Sequence, residues 1–530
     1  MGATCTLIAF TAACGTTVPR SSRETAGTGE TGLGGSSGGA LSTAAPGGTA
    51  TSGGGPSGGG GLGGGLGGGL GGGGGLGATG AASTGVGGAS ASSGPLVTSS
   101  PGGPVPATAS GLSRGVTKTT ISIGFQYAGD AGVAGAALGA AGAPSETTYD
   151  ETIDGVASYI NSHGGIAGKT LIPVLLASPI TTGNYNTTAQ GACDYFTEDH
   201  PVFAVVSTFN TMDDLASCLA QAHTPFIYQF DDDYDQAAEQ ALEPYFYEGA
   251  QLGISRWAIW IRRLEAMGYF DGWNPATGMA DRTQPVKIGV ITFDDPGTLG
   301  VLQSVIEPTL ASDGLKVSPS DIFEMSNVES FEDAGAVADQ MSAAALKFAA
   351  DGITHVLFYT SYGAGELFFG QVANSQHYYP RWGLTTLESI DGIVQADDPA
   401  SELGGAMGIG WQPTSDVDAA EDPGTNPAEK LCESILTKAG VAPARQWTPL
   451  LFCDDEFFLQ DALDSASQLT PLGMYAAVEQ LGDRYQSAMT LTGATDFPPG
   501  RVDSASEVRD ITFETACGCF TYVGPIYQAP

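Results

Sequence analysis

Basic residues are scarce in this chain. Its 530 residues include 19 Lys and Arg against 57 Asp and Glu, which gives a formal net charge of −38. A surface this acidic repels nucleic-acid phosphates and anionic lipid headgroups, so the composition argues against nucleic-acid binding and peripheral membrane binding. The sequence also lacks any run of 18 apolar residues, and it therefore predicts no membrane-spanning helix.

Metal-ligand spacings and catalytic motifs are missing as well. The five histidines are scattered and predict no metal site. The acidic run 231–235 lacks the Gly and the distal Glu of an EF-hand loop, which favours a solvated loop over a calcium site. Gly-x-Ser-x-Gly occurs at 34–38 and 111–115, but neither lies between a predicted strand and a predicted helix, as a nucleophile elbow does. We therefore predict no catalytic residue and no cofactor.

The first 113 residues contain almost no charge. They hold 38 of the 79 glycines, and their charged residues are Arg20, Arg23, Glu24 and Glu30. Segments of this composition bury too little apolar surface to offset the entropy of ordering. We predict that residues 15–113 form a flexible tether between the N-terminus and a folded body, although low-complexity drift without a selected length explains the composition equally well.

The N-terminal sequence resembles an export signal. A short apolar stretch over 3–13 precedes Cys14. Phe10-Thr-Ala-Ala-Cys14 resembles a bacterial lipobox, which predicts a signal peptide over 1–14 and lipidation of Cys14. Thr11 stands where Leu is usual, and no Lys or Arg precedes the stretch. The alternative is that the first six residues match a myristoylation pattern.

Eight cysteines are present, of which six remain if Cys5 leaves with the signal and Cys14 carries lipid. An even number in an exported protein suggests disulfides, and six cysteines allow 15 pairings. Proximity in the chain favours Cys193–Cys218, Cys432–Cys453 and Cys517–Cys519. The last pair would close a tight Cys-Gly-Cys loop and is the least secure.

The body after residue 113 has about 415 residues, more than one core usually supports, so two domains are expected. Short apolar strands alternate with helical stretches along it, which predicts parallel β-α units. Predicted strands cover 117–127, 169–176, 202–207, 225–230, 286–293, 355–360, 381–386, 406–411 and parts of 511–523. Predicted helices cover 149–162, 184–199, 213–222, 298–313, 331–351, 365–374, 427–439 and 454–467.

Three segments resemble type I periplasmic binding proteins. They are Thr117-Lys-Thr-Thr-Ile-Ser-Ile-Gly124, Ile160-Asn-Ser-His-Gly-Gly-Ile-Ala-Gly-Lys169 and Val286-Lys-Ile-Gly-Val-Ile-Thr-Phe-Asp-Asp295. The resemblance implies an α/β fold of two doubly wound parallel-sheet lobes joined by three crossovers. The first lobe would comprise 115–248 plus 386–490, and the second lobe 249–385 plus 491–530.

The same resemblance implies a function. It looks like the branch that serves branched-chain amino acid or amide ABC importers, so we expect a monomeric, extracytoplasmic solute-binding lipoprotein. Its partners would be a small-molecule solute and an ABC transporter permease, with membrane attachment through the N-terminal lipid only. The alternatives are an envelope-tethered hydrolase and a ligand-sensing partner of a membrane receptor.

Ligands of parallel sheets bind where the strands end at their carboxyl side. The residues predicted to bind ligand on this basis are Tyr127, Ser207, Thr208, Phe209, Gln229, Phe230, Pro296, Tyr362 and Glu388. In amino-acid-binding relatives, hydroxyl groups hold the ligand carboxylate, a second-lobe acid holds the ammonium and aromatic rings cover the side chain. The hydroxyl groups would come from Ser207 and Thr208. The second-lobe acid would be Glu388, and the aromatic ring would be that of Tyr362. The segment Asp294-Asp-Pro-Gly-Thr-Leu-Gly300 lacks the Tyr that is usual there, which leaves an amino-acid ligand in doubt.

Overall fold

The structure is a computed structural model that describes most of the chain after residue 112. The described residues are 113–133, 144–208, 213–229, 234–326, 330–360, 363–396, 399–443 and 445–529. The predicted signal peptide, Cys14 and almost all of the predicted tether lie outside them. Among the described residues, no helix combines the length and the apolar character that crossing a membrane requires.

A five-stranded parallel sheet organises the first lobe. Its strands run in the order β2-β1-β3-β4-β5. They are β1 (Thr120–Ala128), β2 (Thr170–Ser178), β3 (Ala204–Ser207), β4 (Phe226–Ile227) and β5 (Phe246–Tyr247). Ile121, Ile123 and Phe125 of β1 are fully buried, since helices cover both faces of such a sheet.

A seven-stranded sheet organises the second lobe, and a small antiparallel hairpin of β6 (Trp273–Asn274) and β7 (Met279–Ala280) precedes it. The order is β14-β13-β12-β11-β10-β8-β9, with β8 to β12 parallel and β13 and β14 antiparallel. Its strands are β8 (Ile288–Phe293), β9 (Val317–Met325), β10 (His355–Phe358), β11 (Arg381–Thr385), β12 (Met407–Gly410), β13 (Glu507–Glu514) and β14 (Cys519–Gln528).

Fifteen α-helices lie in the described part of the chain. They are α1 (Glu146–Ser162), α2 (Tyr185–Asp194), α3 (Asp213–Gln221), α4 (Gln236–Leu242), α5 (Ala258–Ala266), α6 (Pro296–Val301), α7 (Glu307–Ser312), α8 (Ala334–Asp351), α9 (Gly363–Ser375), α10 (Ile390–Gln395), α11 (Ala400–Leu403), α12 (Pro413–Asp416), α13 (Pro427–Ala439), α14 (Trp447–Ser465) and α15 (Pro471–Leu481). Helices α13 and α14 pack against α1 of the first lobe.

The chain crosses between the lobes three times, and the crossing segments lie side by side. The first crossing follows β5, the second follows β12, and the third precedes β13. Glu248 N donates to Val502 O at 3.1 Å, and Ala505 N donates to Gln251 O at 2.8 Å, which pairs the first crossing with the third. The second crossing joins them through Gln412, whose Nε2 donates to Ala250 O at 3.4 Å.

Two predicted boundaries need correction. The first lobe was expected to resume at residue 386, but β12 pairs with β11 in the second sheet, so the chain returns to the first lobe only after β12. The helix predicted over 454–467 begins at Trp447, because Pro449 falls in the first turn, where proline is tolerated. Strands β5 and β9, the β6–β7 hairpin and the helices α4, α5, α10, α11, α12 and α15 were not predicted.

The six remaining cysteines are paired in the structure as their proximity favours. Cys193 of α2 is bonded to Cys218 of α3, and Cys432 of α13 is bonded to Cys453 of α14. The third bond, Cys517–Cys519, lies in the turn between β13 and β14.

Replacing Gln412 with Leu should destabilise the protein. The Gln412 side chain is fully buried, and its Oε1 also accepts a hydrogen bond from Trp447 Nε1 at 2.9 Å. Gln412→Leu removes the hydrogen bonds that this side chain makes to the indole N–H and to the Ala250 carbonyl, which should lower the free energy of unfolding by about 1–3 kcal/mol. Chemical denaturation measures this change.

Gln190→Leu is the matched control. Gln190 lies exposed on α2 and bonds to Asp194 of the same helix. We expect a change within about 0.5 kcal/mol for this variant. Equal losses in the two variants would argue against a special role for the crossing segments.

Candidate functional site

A row of polar side chains links the carboxyl ends of three strands in the first lobe. Gln126 of β1 donates from Nε2 to Ser178 Oγ of β2 at 3.0 Å. Its Oε1 accepts from Ser207 Oγ of β3 at 3.1 Å. All three side chains are buried. The amide therefore fixes the relative positions of two hydroxyl groups at this end of the sheet.

Thr208 follows Ser207 directly and adds a hydroxyl group of a different kind. The residue is 6% exposed, and its Oγ1 has no hydrogen-bond partner among the residues that the structure describes. A buried hydroxyl without a partner is costly. Because Thr208 lies at the edge where ligands of parallel sheets bind, its hydroxyl is suited to hydrogen-bond a bound molecule.

Gln229, beyond the end of β4, connects this edge to the crossing segments. Its Nε2 donates to Asp454 Oδ2 at 3.1 Å and also to Asp455 of α14. Its Oε1 accepts from Ala250 N at 3.3 Å in the first crossing. Since the Nε2 and the Oε1 of this amide are both paired inside the protein, Gln229 positions the edge and does not offer a group to a ligand.

The corresponding edge of the second lobe holds two buried carboxyl groups. Glu366 in the first turn of α9 accepts from Thr360 Oγ1 at 2.6 Å, and its Oε2 has no partner among the described residues. Glu388 accepts from Thr385 N at 2.6 Å, Thr385 Oγ1 at 2.9 Å and Thr360 N at 3.3 Å. Glu388 thus holds the ends of β10 and β11 together.

Burial decides the charge of this pair. Removal from water raises the pKa of Glu366 to about 8, although the hydrogen bond from Thr360 opposes the shift. Burial, followed by repulsion from Glu366, raises the pKa of Glu388 well above its usual value. At neutral pH these groups are therefore mainly protonated, and they present hydrogen-bonding carboxyl groups instead of two negative charges.

The lobes touch along these edges. Asn184 forms an isolated backbone bridge with Ser330. Ala128, Ile180 and Tyr185 of the first lobe belong to the same apolar cluster as Ile291 and Phe293 of β8. The conformation is therefore one in which the two lobes meet.

The predicted ligand-binding residues are not all brought together. Ser207 and Thr208 lie at the first edge, and Glu388 lies at the second. Tyr127 points to the opposite face of β1 from Gln126, where its ring stacks on Tyr149 at 4.7 Å. Its hydroxyl donates to Asp150 at 2.5 Å, and we drop Tyr127 from the proposed ligand contacts.

Four other predicted ligand residues have different outcomes. Pro296 is exposed at the start of α6. Phe209, Phe230 and Tyr362 lie outside the described residues, so their ligand contacts stay predictions.

The sequence interpretation missed several residues of these edges, namely Gln126, Ser178, Thr360, Glu366 and Thr385. It considered mainly residues beyond the strand ends. Gln126 interrupts the apolar run of β1 near its carboxyl end, and such an interruption is a signal that could have identified it. Glu366 could not be found in this way, because it lies on a helix that only the fold brings to the edge.

A cavity of about 310 Å³ lies elsewhere in the first lobe, between α13, α14 and residues 484–488. Its lining includes Leu431, Phe457, Asp461 and Arg484. None of the predicted ligand residues lines it.

Comparison with solved structures finds several binding proteins of similar fold. A possible leucine/isoleucine/valine-binding protein from Rhodopirellula baltica matches with a TM-score of 0.52 and 15% identity, over 77% of this chain and 96% of that one. A leucine-binding protein from Thermotoga maritima matches with a TM-score of 0.51 and 13% identity, over 77% and 99% of the two chains.

A third neighbour is the solute-binding protein of an ABC transporter from R. palustris, solved in complex with 4-hydroxybenzoate. It matches with a TM-score of 0.53 and 12% identity, over 78% of this chain and 98% of that one. No protein-family model matches the sequence, and no curated protein matches it. Identities this low establish the shared fold and leave the ligand open.

The buried carboxyl groups should make stability depend on pH. Glu366 has a pKa of about 8 in the folded state against a usual value of 4.5. Between these values the unfolded chain loses a proton that the folded protein keeps. The free energy of unfolding should therefore fall by about 1.4 kcal/mol per pH unit from this group as the pH rises from 5 to 8. Glu366→Gln removes this contribution, which chemical denaturation at pH 5, 6.5 and 8 measures.

Glu151→Gln, at an exposed position on α1, is the matched control and should keep the slope of the unmodified protein. A Glu366→Gln variant with an unchanged slope would show that this carboxyl group is ionised in the folded state.

Proposed function

Because the chain has the fold of type I periplasmic binding proteins, we propose that it is an extracytoplasmic solute-binding protein. It captures one small polar or amphiphilic ligand between its lobes and delivers it to the permease of an ABC importer. Its work is selective binding and closure, without chemical conversion of the ligand. The lipid on Cys14 and the tether over 15–113 hold the binding domain near the membrane.

The observation that carries this proposal is the arrangement of polar groups on two facing edges. The first-lobe edge supplies the Thr208 hydroxyl and the second-lobe edge supplies Oε2 of Glu366, both without a hydrogen-bond partner among the described residues. Three crossing segments join the lobes that carry them, an arrangement that suits hinge closure around a solute.

The second-lobe edge also bears on the ligand class. An ammonium group leaving water needs a charged partner or charge-assisted hydrogen bonds. Glu388 already accepts three hydrogen bonds and is mainly protonated. We therefore favour a ligand with amide, carboxyl or hydroxyl groups over a zwitterion held by an acidic side chain.

A thermal-shift screen of the full chain tests the proposal. The compounds are amino acids, simple amides, urea and aromatic acids, including 4-hydroxybenzoate because a structural neighbour was solved with it. A ligand at 100 times its dissociation constant adds about 2.7 kcal/mol to the free energy of unfolding, which raises the melting temperature. The proposed function fails if no compound in these classes shifts the melting temperature and no bound solute is extracted from the purified protein.

Thr208→Val should weaken binding of the best compound at least about tenfold, equivalent to about 1.4 kcal/mol. The substitution keeps the shape but removes the hydroxyl group that we assign to the ligand. Stability of the free protein should be unchanged or higher, because a buried hydroxyl without a partner is lost. Isothermal titration calorimetry measures the dissociation constant.

The matched control is Thr490→Val. The Thr490 hydroxyl is likewise buried without a partner in the described part of the chain, but it lies near the third crossing and not at a strand end. Its loss should leave the dissociation constant unchanged. Equal weakening in both variants would remove Thr208 from the site.

A further inference from the structure

Two of the three disulfides connect separate helices. Cys193–Cys218 joins α2 to α3 across 25 residues, and Cys432–Cys453 joins α13 to α14 across 21 residues. Cys193, Cys432 and Cys453 are at most 1% exposed. Disulfides that close loops of this length substantially reduce the conformational entropy of the unfolded chain. Stabilisation of the fold is therefore a sufficient role for these two bonds.

The Cys517–Cys519 disulfide has no comparable structural role. It spans two positions in the turn between β13 and β14. Glu514 already pairs with Cys519 in the strand register, and Gly518 N donates to Glu514 O at 2.9 Å. Because backbone hydrogen bonds close this hairpin and the covalent loop is minimal, the bond adds little restriction to the unfolded chain.

The two sulfur atoms differ in access. Cys517 is exposed at the tip of the turn, whereas Cys519 is only 3% exposed. A thiolate from solution therefore reaches the sulfur of Cys517 first. Cys517 Sγ also lies 3.4 Å from Glu514 O and 3.7 Å from Cys519 O. These carbonyl oxygens can accept a hydrogen bond from the thiol of Cys517 once the bond is reduced.

We propose that Cys517–Cys519 is a surface thiol–disulfide exchange site for low-molecular-weight thiols, separate from the solute site. A thiolate attacks Cys517 Sγ, a mixed disulfide forms, and the electron pair of the broken bond leaves on Cys519. A second thiolate attacks the sulfur of the bound thiol, which releases Cys517. In total, two small thiols are oxidised to one disulfide, the protein disulfide is reduced to two thiols, and the protons pass from the small thiols to the cysteines. Exposed disulfides in small loops are the exchangeable kind.

The negative charge of the chain should make the exchange selective for cationic thiols. A formal net charge of −38 repels anionic thiols and attracts cationic ones, and salt screens this effect. At low ionic strength we therefore expect faster exchange with cysteamine than with 2-mercaptoethanesulfonate, after correction for the rate of each thiol with a neutral model disulfide. The difference should shrink in 1 M salt.

The test treats the folded full chain with graded dithiothreitol, blocks free thiols and quantifies each cysteine by mass spectrometry. Cys517 and Cys519 should reach half reduction at a dithiothreitol concentration at least about tenfold below that for the other two pairs. Reduction of all three pairs together, or of Cys517–Cys519 last, overturns the proposal.

Two double variants separate exchange from stability. Cys517→Ser/Cys519→Ser should leave the melting temperature unchanged and abolish the thiol oxidation seen at low dithiothreitol. Cys432→Ser/Cys453→Ser should lower the melting temperature and leave that oxidation intact. A large loss of stability in the first variant would mean that the bond is structural, and the proposal would fail.

Discussion

The packing of three crossing segments is the constraint on which the rest of this structure depends. Trp411 Nε1 donates to Gln251 Oε1 at 3.2 Å, Trp447 Nε1 donates to Gln412 Oε1 at 2.9 Å, and Gln251 in turn donates to the carbonyl of Gln229. Each bond is buried, where an unpaired polar group is expensive. The network therefore fixes how β4, the crossings and the start of α14 meet, and with them the position of both strand edges.

Buried acids are the second general feature. Asp454, Asp455 and Glu456 follow one another in α14, and all three are buried. Burial raises the pKa of Asp454 to about 6 and raises the pKa of Asp455 and of Glu456 well above its usual value. Part of the acidic composition is therefore neutral inside the fold at neutral pH. The formal charge overstates the charge of the folded protein, although the excess of acidic over basic residues keeps the surface negative.

The candidate site was predictable in part. The position of Ser207 and Thr208 at this edge followed from the sequence because they end an apolar strand, and strand ends of a parallel sheet converge; their ligand contacts stay predictions. Tyr127 was misplaced because alternation along β1 sends it to the face opposite Gln126, where it packs on Tyr149. Glu388 was placed at the correct edge, but its hydrogen bonds to Thr385 and Thr360 could not be inferred, since they depend on how β10 and β11 pair.

The longer strands and helices and their order follow largely from the sequence, because apolar periodicity and turn residues are local properties of the chain. The α/β class was accessible for the same reason, whereas the two lobes were expected from chain length and the family resemblance, and the cysteine pairs from proximity in the chain. Only the tertiary structure shows where the chain returns to the first lobe and that the two lobes are in contact. It also places Glu366 beside Glu388. Those features depend on contacts between residues far apart in the chain, and burial energy selects such contacts only when all the elements pack together.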